Sequence, residues 1–230
     1  MTRSTASNPS SAWYDRMIVN NAPIEKSLGQ AAARLLRKGL LAPGDTLSER
    51  IPEQDCFVMV RIAALPASQT FEWTPLSTPP RNLHHRIYLA RPDIGAIAAG
   101  EIPWTSRLAR LGLTIPSVFD EQVRHLGKEV RYIKTLSSDK SFAALSNGAN
   151  AYCFDDLALC LGMNLERLLL NIEILEKCAQ SFILARSTSG KIRRIPWLVR
   201  FIANGRLKKD RKDAAARHLR GERAVLKSGY

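Results

Sequence analysis

Long hydrophobic runs are missing from this 230-residue chain. None approaches the ~20 consecutive apolar residues that a bilayer span requires, which excludes a membrane-spanning helix. The opening stretch, MTRSTASNPSSAW, has no apolar centre of the kind a secretion signal carries and reads as a polar arm. Cysteine is scarce: Cys56, Cys153, Cys160 and Cys178 stand alone, with no Cys-x-x-Cys spacing. Cys56 and Cys153 lie inside apolar, strand-like runs, which predicts buried, reduced thiols in a cytoplasmic protein.

Acidic residues are nearly absent from one region only. From Lys191 to Tyr230 there are 13 Lys+Arg and 3 Asp+Glu, a net +10; of the total +13 this leaves +3 for residues 1–190. The basic character therefore belongs to a tail and not to the body. No platform of stacking aromatics accompanies it, so nucleic acid is an unlikely partner. What is present in quantity is apolar surface, 45% of residues, enough for one sizeable core. The chain divides into an arm (1–22), a domain (23–190) and a basic helical tail (191–230), predicted to dock on the domain or on a neighbouring subunit.

Within the domain the patterns alternate between helix and strand. Ile24, Leu28, Ala31, Ala32, Leu35 and Leu36 form a helical stripe over Pro23–Lys38, and Gly39 stops it. Asp55–Leu65 is a near-continuous apolar run, an internal strand. The following PASQTFEWTPLSTPPRN is rich in Pro, Ser and Thr and is predicted to be loop, with Glu72 upon it. Leu83–Ala90 is a short helix carrying His84 and His85, one expected at the core edge and the other in solvent. Arg91-Pro92-Asp93 makes a turn, Ile94–Ala99 a strand, and Pro103–Leu111 a helix with Leu108 and Leu111 inward. Phe119, Val123 and Leu126 mark another helix, whose polar face holds Asp120, Glu121, Arg124 and His125. Ala151–Leu161 forms two strand pieces broken at Asp155-Asp156. Asn164 then caps a long helix with Leu165, Leu168, Leu169, Ile172, Leu175 and Phe182 buried.

The run from Tyr88 to Ile97, Y-x-A-R-P-D-I-G-A-I, followed by a helix, resembles the centre of the class II aldolase/adducin family. Leu47, Ser48 and Arg50 match that family's Gly-Gly-Asn-Leu-Ser-x-Arg element, with Gly44-Asp45-Thr46 in place of Gly-Gly-Asn. Gly162 and the helix after it match a second family segment. The resemblance spans about residues 25–186. It implies a single three-layer α/β/α domain with a largely antiparallel central sheet, and C-terminal segments that pack across subunits of a homo-oligomer.

The same resemblance locates what has changed. The family's His-x-His metal pair falls at Ala99 and Glu101, its third metal histidine at Asp156, and that histidine's Asn neighbour at Asp155. Its acid/base Glu falls at Pro80, which moves no proton. A family histidine ahead of the Tyr falls at His84. Ordinary metal-dependent aldol chemistry is therefore not expected, and no cofactor is assigned; two carboxylates with His84 would be a weak site for Mg²⁺ or Mn²⁺. Two functions remain. One is a metal-independent lyase acting on a small carbonyl compound by C–C cleavage, decarboxylation or isomerisation, with Glu101, Asp156 and His84 catalytic. Thr46, Ser48, Asp155 and Arg124 would bind the substrate, although Asp45 would repel an anionic one. The other is a non-catalytic, adducin-like oligomerising or binding protein. For the tail, Trp197, Leu198, Phe201 and Ile202 interleaved with arginines fit a neighbouring subunit, a membrane surface or an acidic partner.

Overall fold

The computed structural model describes residues 21–65, 68–136, 139–188 and 191–225. Most of the polar arm and the terminal Tyr230 lie outside them. Helix α1 (Ala22–Arg37) opens with proline in its first turn, buries Leu28, Ala31, Ala32 and Leu35, and gives way to Gly39 at φ 64°. Strands β1 (Thr46–Ile51) and β2 (Cys56–Arg61) form an antiparallel pair. Next come β3 (Phe71–Pro75), α2 (Leu83–Ala90) and β4 (Ala96–Gly100). They are followed by α3 (Pro103–Arg110), α4 (Asp120–His125), β5 (Arg131–Ile133) and α5 (Asp139–Ala143). The hairpin β6 (Ala151–Phe154) and β7 (Leu157–Gly162) leads into α6 (Leu165–Ser187) and α7 (Trp197–Leu219).

The seven strands form one sheet in the order β3-β2-β1-β4-β7-β6-β5. Every pairing is antiparallel except β5 with β6. The period of two along β4 sorts its side chains to two faces. Ala96 and Ala98 join a core covered by Leu28 and Leu35 of α1, Leu108 of α3 and Leu168, Ile172 and Leu175 of α6. Ile97 and Ala99 join a second core, with Ile87 and Tyr88 of α2 and Leu145. Helices on both faces of a mostly antiparallel sheet are the three layers expected. All four cysteines are buried and free.

Three expectations are corrected. The Pro-rich stretch after β2 is not all loop: Phe71–Pro75 adds an edge strand to β2, and Pro75 ends it, an edge being where a strand tolerates proline. Leu111 is exposed, because α3 stops at Arg110 and Gly112 turns the chain at φ 61°. Neither histidine of α2 is solvated; His84 and His85 are both buried.

The tail helix lies against the domain. Arg124 donates to Asp210 Oδ2 at 2.8 Å, and Arg211 Nε donates to Asp93 Oδ2 at 2.7 Å. His218 Nδ1–H donates to the Pro92 carbonyl at 2.7 Å. Ala203, Leu207 and Ala214 are the apolar residues that α7 buries.

Candidate active site at the end of strand β4

Strand β4 runs out at Gly100 beside Thr46 of β1, because Thr46 pairs with Ala99, and beside β7, because Gly100 pairs with Ala158. The helix α2 crosses beneath, capped by Asn82 through the His85 N–H, and brings His84 and Tyr88 against β1. The resulting polar chain has one consistent set of donors. Thr46 Oγ1 donates its only hydrogen to the Ala99 carbonyl at 3.3 Å, so in its 3.0 Å contact with His84 Nε2 it must accept. A neutral imidazole protonated on Nε2 has a bare Nδ1, which accepts from Ser48 Oγ at 2.6 Å; Ser48 then accepts from Tyr88 OH at 2.8 Å. Each hydrogen in the series Tyr88, Ser48, His84, Thr46 has an acceptor. Burial pushes the His84 pKa down to about 3 and pushes Tyr88 up, so both stay neutral. The Arg50 guanidinium sits 4.9 Å from the Tyr88 ring centroid. It donates to the Ile94 carbonyl at 2.9 Å and to the Tyr88 carbonyl, tying the end of α2 to the turn before β4.

The corner itself is lined by backbone amides, and the chain fills them with its own carboxylates. Asp45 accepts from Ala42 N at 2.7 Å and from Glu101 N at 3.1 and 3.2 Å. Its carboxylate lies where a Cβ on residue 100 would be, 2.0 Å away, which is why glycine stands there. Burial raises the Asp45 pKa, against the two backbone hydrogen bonds that lower it. Across the strand end, Glu176 from α6 accepts from Trp104 N at 2.7 Å and Thr105 N at 3.2 Å, capping α3 from a distance.

No family model matches the sequence, and no curated protein matches it. Solved structures do. L-fuculose 1-phosphate aldolase superposes with a TM-score of 0.70 at 18% identity, covering 81% of this chain and 96% of that one. YgbL from Klebsiella pneumoniae, a putative aldolase/epimerase/decarboxylase, gives 0.67 at 17% identity over 80% of this chain and 98% of that one. An aldolase II superfamily protein from Pseudomonas syringae gives 0.64 at 15% identity over 93% and 100%. The fold is that of the class II aldolases.

On this aldolase fold the residues picked from sequence separate into three places. Thr46, Ser48 and His84 are together, in the hydrogen-bonded series just described. Glu101, Asp155 and Asp156 are exposed at the sheet end. Glu101 reaches Arg110 at 3.5 Å, in a hollow of about 450 Å³ that also contains Arg107 and Pro43. Asp155, at φ 45°, and Asp156 make the tight turn between β6 and β7, a conformation Asp tolerates well. The ladder ends with Gly100 opposite Ala158, which brings the turn and Glu101 to the same end of the sheet, yet no hydrogen bond or ion pair joins Glu101 to Asp156 among the described residues. Arg124 is elsewhere, under α7 and paired with Asp210.

Class II aldolase chemistry implies a divalent metal. The residues present do not fit one: Ala99 has no donor atom, Glu101 turns to Arg110, and both His84 nitrogens are committed. Among the described residues no three His, Cys, Asp or Glu side chains gather as a metal site. Sequence reading missed Asp45 as a structural acceptor and Glu176 as a remote cap. The first had a signal, an Asp three residues after Ala42 in a Pro-Gly turn; the second, 71 residues from its nearest partner, had none.

Proposed function

We propose that the chain works by binding and not by turnover: an oligomerising, adducin-like protein built on the aldolase fold. The observation that carries this is the state of the corner at Gly100. Its amide donors are occupied by Asp45 and Glu176, its histidine is held neutral in a saturated series, and Glu101 on its rim is ion-paired with Arg110. A phosphorylated substrate of the sort named for L-fuculose 1-phosphate aldolase would meet carboxylates where it needs N–H groups. Four buried free cysteines fit a reducing compartment, which supports a cytoplasmic location.

The second reading is a metal-independent lyase cleaving, decarboxylating or isomerising a small carbonyl compound. What favours it is that the β4–β7 ladder, ending with Gly100 opposite Ala158, brings Glu101 and Asp156 to the same end of the sheet, two carboxylates able to act as acid and base if a substrate excludes water between them. One experiment separates the two. The purified protein is assayed for metal content and screened against small hydroxy-carbonyl and keto-acid compounds, while its mass in solution is measured. A homo-oligomer with no turnover is expected. Turnover that Glu101→Gln or Asp156→Asn abolishes would establish the lyase, and stoichiometric bound zinc would sink both readings.

A further inference from the structure

Helix α7 presents a side that the domain does not use. Ala203, Leu207, Ala214 and His218 face inward. On a helix of 3.6 residues per turn, Trp197, Leu198, Phe201 and Ile202 lie on the opposite side. Their exposures are 68%, 52%, 71% and 49%. Gly205 continues that side, with nothing within 4 Å of where a Cβ would stand, and Lys208, Lys209 and Lys212 complete it, all exposed. Around this apolar patch, residues 191–209 carry seven Lys and Arg and no Asp or Glu.

The patch is held in place from both ends. Before it, the Ile195 N–H donates to the Ser117 carbonyl at 3.0 Å and Ile192 packs on the core. Beyond it, Asp210 and Arg211 are fixed by Arg124 and Asp93. A surface ordered before its partner arrives loses little freedom on binding.

We infer that this face of α7 docks on an anionic lipid surface. Large aromatic and aliphatic side chains at the centre enter the boundary between headgroups and acyl chains, and the surrounding Lys and Arg meet the negative headgroups. No described helix is long and apolar enough to cross a membrane, so the contact lies in the plane of the interface. A second copy of the chain is the poorer fit, because residues 1–190 are themselves net positive and so repel the segment on balance. Nucleic acid shares the charge complementarity, but Leu198 and Ile202 gain nothing from phosphates or base edges. The inference goes beyond the reading of the strand-end corner and holds whether or not that corner turns over a substrate.

Co-sedimentation of the full chain with vesicles tests it. Vesicles of phosphatidylserine and phosphatidylcholine are expected to bind at least about tenfold more tightly than phosphatidylcholine alone, and less so at high salt. Trp197→Ser with Phe201→Ser, at exposed positions that leave the fold intact by circular dichroism, is expected to weaken binding more than about tenfold. Arg193→Glu with Arg194→Glu is expected to weaken binding to anionic vesicles alone. Wild-type protein that ignores phosphatidylserine overturns the inference. So does an oligomer that the Trp197/Phe201 variant dissociates with vesicle binding unchanged, or RNA bound in preference to vesicles. Vesicle binding is read without any substrate, so its failure leaves the reading of the corner standing.

Discussion

Two polar networks lie on either side of the turn at residues 91–95, and they are built on opposite terms. Toward β1 the series Tyr88, Ser48, His84 and Thr46 contains no charge and ends on a backbone carbonyl. Toward α7 the groups are ions. Arg91, 3% exposed, forks onto both oxygens of Asp93 at 2.7 Å, and Asp93 Oδ2 also accepts from Arg211. Burying ions is costly unless every one is paired, whereas neutral groups need only a hydrogen-bond partner. In an enzyme of this fold, ionised or metal-bound groups would be concentrated at the strand end. Here the buried ion pair lies under the tail helix, and the side chains beneath the strand end form a neutral, self-satisfied series. The chain uses its electrostatics to hold an element, and that is the physical basis for reading it as a binding protein.

The sharpest way to break this contrast is Asp93→Asn. It leaves Arg91 buried beside an uncharged amide and frees Arg211, so a loss of about 3–5 kcal/mol in urea denaturation is expected, with faster proteolysis at α7. A loss under ~1 kcal/mol would mean that the ions are not what secures the helix. The pH dependence has a definite sign. Burial alone would raise the Asp93 carboxyl, but the hydrogen bonds and charge of Arg91, then Arg211, outweigh it and hold the pKa at about 2 against an ordinary 3.8. A group depressed by folding stabilises above its unfolded pKa, so this contribution is complete above pH 4 and disappears as pH falls toward 2.

The neutral network is broken by Ser48→Ala, which strands His84 Nδ1 and the Tyr88 hydroxyl in the core. About 2–3 kcal/mol is the expected cost, smaller than for Asp93 because no ion is left alone. Here acid acts earlier. An unfolded histidine binds a proton near pH 6.5, while folded His84 resists until about 3, so its contribution falls as pH drops through that window. His125, lowered to about 4 by burial and then by Arg167 and Arg124, and His218, lowered first by burial, steepen the same decline. Replacing His84 with Gln is expected to remove about one proton from the slope, ~1.4 kcal/mol per pH unit between pH 6 and 4. An unchanged slope would show that the imidazole is already protonated in the fold.

How much of this could be read beforehand depends on how local the cause was. The helix bounds at 83–90, the Asn164 cap and the Asp155-Asp156 turn follow from neighbouring residues, and all three are where periodicity and turn chemistry put them. The strand at 71–75 was hidden because its stabilising pairs come from β2, while prolines and serines dominate its own window. The burial of His85 was hidden likewise, since it depends on the Phe57 ring packed 5.3 Å away. At the candidate site, Thr46, Ser48 and His84 could be chosen from the motif. Their partners lay outside it: the Ala99 carbonyl and Tyr88 satisfy the two ends of the series. Helical spacing puts Arg124 on a polar face as a substrate-binding candidate; its actual partner, Asp210, is 86 residues away.

The Arg124–Asp210 pair refines the contrast at intermediate strength. Both side chains are partly exposed, 24% and 27%, so solvent screens the attraction, and a double-mutant cycle with alanine at each position is expected to give a coupling of about 1 kcal/mol. A coupling as large as the Asp93 effect would mean that α7 hangs on its first contact and not on the buried ions.

The smallest effect is expected at Glu101 on the exposed rim. Glu101 is 58% exposed and its contact with Arg110 is 3.5 Å long, so Glu101→Gln should move stability by less than about 0.5 kcal/mol. That result alone would be unremarkable for a surface residue. It becomes informative beside Asp45→Asn, a change of one oxygen to nitrogen at the same corner, where the carboxylate accepts from Ala42 and Glu101 N–H groups together. The amide retains one acceptor and must turn a donor toward the Glu101 N–H, so about 1–2 kcal/mol is expected. If the order were reversed, with Glu101 costly and Asp45 silent, the Glu101 carboxylate would be doing something that its ion pair with Arg110 does not explain, and the lyase reading would take precedence.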